Sequence, residues 1–200
     1  MKKVAAILII LFTLPMIIPI TTPAYAETTD PIYDGLKKLA NTNDDILVLD
    51  DDAIALDLAP GEEVEFTTDT GDIVTFTNEG SIQTRASTKN YQYSYTIRNP
   101  NYVDAYATIT VRAVVEFSSP RWAEITEISQ YKTTRFADVT NMTSSYVTKR
   151  AGNNTPVVSK YTGTAKIIHP ATGNTVSTTN YELRISVTPD SSGRLIVVKG

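Results

Sequence analysis

Between residues 103 and 117 an apolar side chain occupies every odd position: Val103, Ala105, Ala107, Ile109, Val111, Ala113, Val115 and Phe117. Asp104, Tyr106, Thr108, Thr110, Arg112 and Glu116 stand between them, and only Val114 breaks the alternation. Strand side chains point to opposite faces with a period of two, so the pattern predicts a long strand with one face on a core and the other wet. At about 3.3 Å per residue such a strand would reach roughly 50 Å, well beyond the common length. A bulge or bend is therefore expected, letting the strand serve two sheets.

The neighbouring pattern extends the picture. Tyr91, Tyr93, Tyr95 and Ile97 share one face of the preceding strand, and Asn99-Pro100-Asn101 turns the chain between the two. Upstream, Asp30-Pro31 with Ile32, Leu36, Leu39 and Ala40 predicts a short amphipathic helix over about 31–41. Gly35 weakens it by about 1 kcal/mol relative to alanine, so it needs a surface to dock on. Ile46 to Leu49 predicts a short apolar strand, and Ile54, Leu56 and Leu58 alternate after Asp50-Asp51-Asp52. Asp69-Thr70-Gly71-Asp72 joins Val64 and Phe66 to Val74 and Phe76 in a hairpin. Glu79 to Asn90 is polar and reads as a linker.

Beyond the long strand, Trp122, Ile125 and Ile128 fit a helix about as well as an irregular strand, and the β-rich surroundings favour the strand. Strands are further expected over 142–149, 157–168, 175–188 and 194–199, with reversals at Gly152-Asn153-Asn154, His169-Pro170 and Pro189 to Gly193. Regular turn signals between alternating runs predict an all-β fold, an antiparallel β-sandwich or barrel-like structure of about eight to ten strands carrying the short N-terminal helix.

Composition adds a compartment. Lys2 and Lys3 precede an apolar run from Val4, and Ala24-Tyr25-Ala26 supplies small residues for cleavage. This is the pattern of a secretory signal peptide over residues 1–26, with cleavage between Ala26 and Glu27. Pro15 and Pro19 interrupt the run, and no later stretch is apolar enough to span a bilayer, so no stable membrane span is expected after cleavage. The sequence has no cysteine, which suits a bacterial exported protein better than a disulfide-stapled animal one.

Charge is uneven. Residues 27–80 hold 15 acidic and 2 basic side chains, and residues 81–200 hold 7 acidic and 14 basic. With the polar stretch, this divides the mature chain into an acidic segment, 27–85, and a β-sandwich region, 86–200. Arg85-Ala86 is then a candidate processing point.

The run Ala53 to Thr77, with Asp57-Leu58, Pro60-Gly61 and Gly71-Asp72, followed by Arg85 and a tyrosine-rich β region, resembles uncharacterised secreted β-sandwich domains of Gram-positive bacteria. That resemblance implies the fold and the compartment. It implies no activity and no functional residue.

Chemistry is constrained next. His169 is the only histidine, which removes Cys-His dyads, two-histidine zinc sites and thiolate metal sites, and no Gly-x-Ser-x-Gly elbow accompanies it. His169 reads as a turn residue. Asp44, Asp45, Asp50, Asp51 and Asp52 lack calcium-loop spacing and read as solvated acids. A paired-carboxylate glycosidase would draw on Glu116, Glu124, Glu127, Asp138 or Glu182. No cofactor or metal is expected. Nucleic acid is opposed by export and by the formal net charge of −4.

The remaining cluster is aromatic. Tyr91, Tyr93, Tyr95 and Tyr106, interleaved with Arg98 and Arg112, offer a ligand face for a cell-wall polymer or an extracellular protein. The same tyrosines also suit an ordinary half-buried sheet face. The leading expectation is a secreted, non-enzymatic binding module. The alternatives are a secreted toxin, bacteriocin or inhibitor-like protein masked by its acidic segment, and a glycoside or cell-wall hydrolase.

Overall fold

The computed structural model describes residues 30–85, 87–102, 104–119 and 121–200. The expected signal peptide and cleavage point (Ala26, Glu27), Ala86 and Val103 lie outside them.

Helix α1 (Pro31–Leu39) begins where the sequence places its cap. The Asp30 carboxylate accepts from the backbone N–H groups of Ile32 at 3.0 Å and Tyr33 at 3.1 Å, and Pro31 sits where its missing N–H costs nothing. Ile32, Tyr33 and Leu36 are buried. A Cβ on Gly35 would stand 2.3 Å from Cε2 of Phe66. The glycine that weakens the isolated helix is what lets it approach its docking surface.

Among the described residues twelve strands follow, in two antiparallel six-stranded sheets. The first contains, in spatial order, β1 (Ile46–Asp50), β2 (Ala53–Leu56), β12 (Gly193–Val198), β11 (Thr175–Val187), β10 (Val157–Ile168) and β8 (Ala137–Thr148). The second contains β3 (Glu63–Thr67), β4 (Ile73–Arg85), β5 (Thr88–Arg98), β6 (Tyr106–Ser119), β7 (Trp122–Arg135) and β9 (Arg150–Gly152). The all-β sandwich-like fold is as the alternation predicts. The strand count exceeds the expected eight to ten, in part because β9, three residues long, is too short to show an alternation.

Inward faces meet in one core. β10 alternates buried and half-buried positions throughout its length. The tyrosine face of β5 packs beside the small side chains of β6: Tyr91 is opposite Ala113 and Ile97 is opposite Ala107. Phe66, Phe76, Tyr95 and Tyr181 run across the core with successive ring centroids 6.5, 5.1 and 5.8 Å apart, linking β3 to β11. Tyr161 on β10 donates its hydroxyl to the carbonyl oxygen of Arg112 on β6 at 2.6 Å, a bond between the two sheets.

Three expectations need correction. β6 does not serve both sheets, since its partners β5 and β7 both belong to the second. An irregularity is present on β6, where Phe117 faces Ala123 and Ser119 faces Trp122 with Ser118 as the extra residue, and another lies on β7, where Val114 faces Glu127 and Val115 faces Ile125, leaving Thr126 as the extra residue. The chain changes sheets between β7 and β8, at Phe136 (φ 45°).

The stretch Glu79 to Asn90 is not a linker but the paired ends of β4 and β5, with Arg85 opposite Thr88. Its periodicity is hidden because the register shifts between Asn78 and Gly80, and because Ser81 and Ile82 are exposed near the hairpin end. The segment 27–85 supplies β1 and β2 to the first sheet and β3 and β4 to the second.

The third correction concerns the tyrosine face, whose placement defines the site.

Candidate functional site: a groove at one end of the sandwich

The residues proposed for one ligand face occupy two. Tyr91, Tyr93 and Tyr95 are 4%, 2% and 0% exposed and point into the core. Arg98 and Arg112 alternate with them and lie on the outer face, and Tyr106 is opposite Arg98. A two-residue period sends odd and even positions of one strand to opposite sides, so this separation is inherent in the numbering.

The outer cations are already engaged. Arg98 pairs with Glu65 at 2.8 Å, and Arg112 donates to Asn90 Oδ1 at 2.9 Å and lies 3.8 Å from Glu127. Neighbouring Arg135 pairs with Asp104 at 3.3 Å. Each has a protein acceptor, so the face does not present a set of free cations to an anionic polymer.

The carboxylates do not form a cleft. Glu116 and Glu124 are cross-strand neighbours, but on the outer face of the sheet, and Glu124 lies 3.9 Å from Lys149 and 3.8 Å from Arg150. Glu182 is on the other sheet, held by Lys160 and by Arg184, whose Nε donates at 2.9 Å. Burial acts to raise its pKa, yet the hydrogen bonds from Lys160 and Arg184 outweigh it, and the carboxyl sits below its ordinary range. Asp138 accepts from Lys132 at 3.0 Å, and Glu127 faces Arg112. His169 Nδ1 accepts from the N–H groups of Ala171 and Thr172, so it caps its own turn.

What the structure brings together instead is a groove of about 180 Å³ where the end of β4 and β5 meets the β11–β12 turn. Tyr91 and Tyr93 line it from β5, Asn78, Gly80 and Ser81 from β4, and Ser191 and Gly193 from the turn, with Leu58 and Pro60 closing it.

Its walls are fixed locally. Asn78 donates through Nδ2 to the Leu58 carbonyl at 2.7 Å and accepts at Oδ1 from the Gly80 N–H at 2.8 Å. Gly80 adopts φ 93°, the left-handed region that glycine enters without a steric cost. Across the groove, the Tyr91 hydroxyl donates to the Ser191 carbonyl at 2.7 Å and Lys89 donates to Ser191 Oγ at 2.8 Å. A Cβ on Gly193 would fall 2.5 Å from Cδ1 of Tyr91, so this residue must be glycine for the ring to lie where it does.

Tyr93 differs from these neighbours. Its ring is buried and the residue lines the groove, yet among the described residues its hydroxyl makes no hydrogen bond. Burial raises the phenol pKa, with the negative charge of Asp57 acting in the same direction and Arg194 opposing it, so the group stays a neutral donor and acceptor at physiological pH. Tyr95 is walled off in the core, its hydroxyl buried and unpartnered.

A second concavity, of about 140 Å³, lies at the start of α1 beside Asn180 and Gly200. There the Asp30 carboxylate already caps the helix and accepts from the Gly200 N–H at 2.8 Å.

Sequence reasoning found Tyr91 and Tyr93 and missed the rest of the groove. The available signal was Gly80, since an isolated glycine in an alternating run marks a bulge or a close backbone approach. No protein-family model, curated protein or solved structure matches this chain, so its groove stands on its own geometry.

Proposed function

We propose that this chain is an exported, non-enzymatic binding protein whose all-β scaffold holds a small polar ligand, a sugar unit of a cell-wall polymer, in the groove beside Tyr93. The observation that carries this reading is a groove lined by Tyr91 and Tyr93, the latter with no hydrogen bond to its hydroxyl among the described residues, whose other walls are fixed by hydrogen bonds. A rigid concavity with aromatic body and a few polar groups suits a ligand rich in hydroxyls, because little side-chain freedom is lost on binding. The proposed compartment rests on the N-terminal pattern of the sequence. The non-enzymatic reading is supported by carboxylates that stand on open faces or in ion pairs rather than across a cleft.

The competing reading, a basic effector masked by an acidic pro-segment, requires release of residues 27–85. These residues contribute Ile54, Leu56, Val64, Phe66, Val74 and Phe76 to the common core. A major secreted species beginning near Ala86 would favour the effector reading over this one.

Cosedimentation with insoluble cell-wall polymer tests the proposal. The wild-type protein is expected in the pellet, and Ser81→Trp, at an exposed groove position, is expected in the supernatant with its fold intact. Equal retention of the two proteins refutes the groove.

A further inference from the structure

β1 ends the first sheet, with β2 as its only strand neighbour among the described residues. Its pairing runs Ile46 to Leu56, Leu47 to Ala55 and Val48 to Ile54, and the Asp57 N–H donates to the Asp45 carbonyl at 2.8 Å. Hydrogen-bonded and non-hydrogen-bonded pairs alternate in an antiparallel ladder, so residues 45 and 47 bond toward β2 and Val48 directs its N–H and C=O to the open edge. Leu47, Val48 and Leu49 are 40%, 45% and 49% exposed.

Two other edge strands, β3 and β8, are protected. β3 turns Glu63 and Glu65 outward, and β8 is mainly polar and interrupted by Asn141 at φ 53° and a register shift against β10. Charges and irregularities of this kind block strand addition, whereas a run of exposed apolar residues on an open edge invites it.

Charge identifies the guest. Asp44 and Asp45 precede β1, while Asp50, Asp51 and Asp52 close it and follow it, and the ion pairs among the described residues involve none of the five. Antiparallel self-pairing centred on Val48 would set Asp44 against Asp52 and Asp45 against Asp51, placing like charges opposite one another. A second copy of this chain is thereby disfavoured at this edge. A strand with basic ends is favoured.

We propose that the open edge of β1 docks an extended segment of another protein, apolar at alternate positions and flanked by lysine or arginine, as an added strand of the first sheet. Backbone hydrogen bonds at Val48 would supply affinity, and the flanking aspartates would select the guest and its register. This site is separate from the groove and does not depend on its ligand.

The test uses the mature chain and a labelled peptide of alternating valine and threonine with paired lysines at each end, read by fluorescence anisotropy. Binding is expected for this peptide, and about tenfold weaker binding for its counterpart with glutamates at the ends, as several exposed charge pairs would give together. Added salt should weaken the lysine peptide. Val48→Pro, which removes the edge N–H, should abolish binding. The triple variant Asp44→Asn, Asp45→Asn, Asp51→Asn should narrow the preference for lysine, and it decides the matter should the proline variant fail to fold. Equal binding of both peptides, no binding of either, or an unchanged preference in the asparagine variant overturns the proposal. A concentration-dependent dimer lost in Val48→Pro assigns the edge to a second copy and overturns it as well.

Discussion

Replacing Tyr95 and Tyr161 separately by phenylalanine should move stability in different directions, although both rings are fully buried. The Tyr161 hydroxyl donates at 2.6 Å to the Arg112 carbonyl and joins the two sheets. Its removal loses a net contribution of about 1 kcal/mol and deprives a carbonyl of a partner, so Tyr161→Phe should cost about 1–2 kcal/mol. The Tyr95 hydroxyl is buried with no partner among the described residues, and the adjoining void is about 10 Å³, at the lower bound for a single water. Burying an unpaired hydroxyl costs roughly 1–3 kcal/mol on mutational scales, so Tyr95→Phe should be neutral or stabilising by up to about 2 kcal/mol. Urea unfolding at one pH, fitted with a shared slope, separates the variants, and their melting points should differ by several degrees at about 2–4 °C per kcal/mol. A loss above about 0.5 kcal/mol in Tyr95→Phe, or none in Tyr161→Phe, refutes the hydrogen-bond assignment.

Alkaline unfolding should be steep. Burial raises the pKa values of Tyr91, Tyr93, Tyr95 and Tyr161, and pushes Tyr181 up to about 12. The folded state keeps these protons more tightly than the unfolded chain, so stability is full below about pH 10 and is lost as pH rises toward the folded values. Each fully shifted phenol contributes about 1.4 kcal/mol per pH unit above that point, and denaturant titrations between pH 8 and 11 that stay flat would contradict the buried placement. Gly35→Ala sets a helix-propensity gain of about 1 kcal/mol against a contact of 2.3 Å with the Phe66 ring. Overpacking costs about 1–3 kcal/mol, so net destabilisation is expected, and a higher melting point would show that α1 does not dock there.

The fold was legible where alternation was clean. β10, the inward face of β6 and the Asp30-Pro31 helix start follow from period and capping alone. It was obscured wherever a bulge changed phase. The shift between Asn78 and Gly80 disguised the end of β4 as a linker, and the extra residue on β7 made Trp122, Ile125 and Ile128 look helical.

The site was half legible. Tyr91 and Tyr93 share one face by their spacing, but spacing cannot say which face is inward, and tyrosine suits either. The alanines of β6 held the answer, because Ala107 and Ala113 leave room for large neighbours on an inner face. The contribution of Ser191 and Gly193, about 100 residues from Tyr91, depends on the pairing of β11 with β12 and on how the two sheets stack. No local pattern reports it.

Amide chemical-shift mapping during titration with solubilised cell-wall oligosaccharide tests the groove most directly. Binding there predicts saturable shifts at Gly80, Ser81, Ser191 and Gly193, with Trp122 on β7 and Val48 on β1 unmoved. Absence of saturable shifts, or shifts gathered around Trp122 or Val48 instead, would contradict the proposed site.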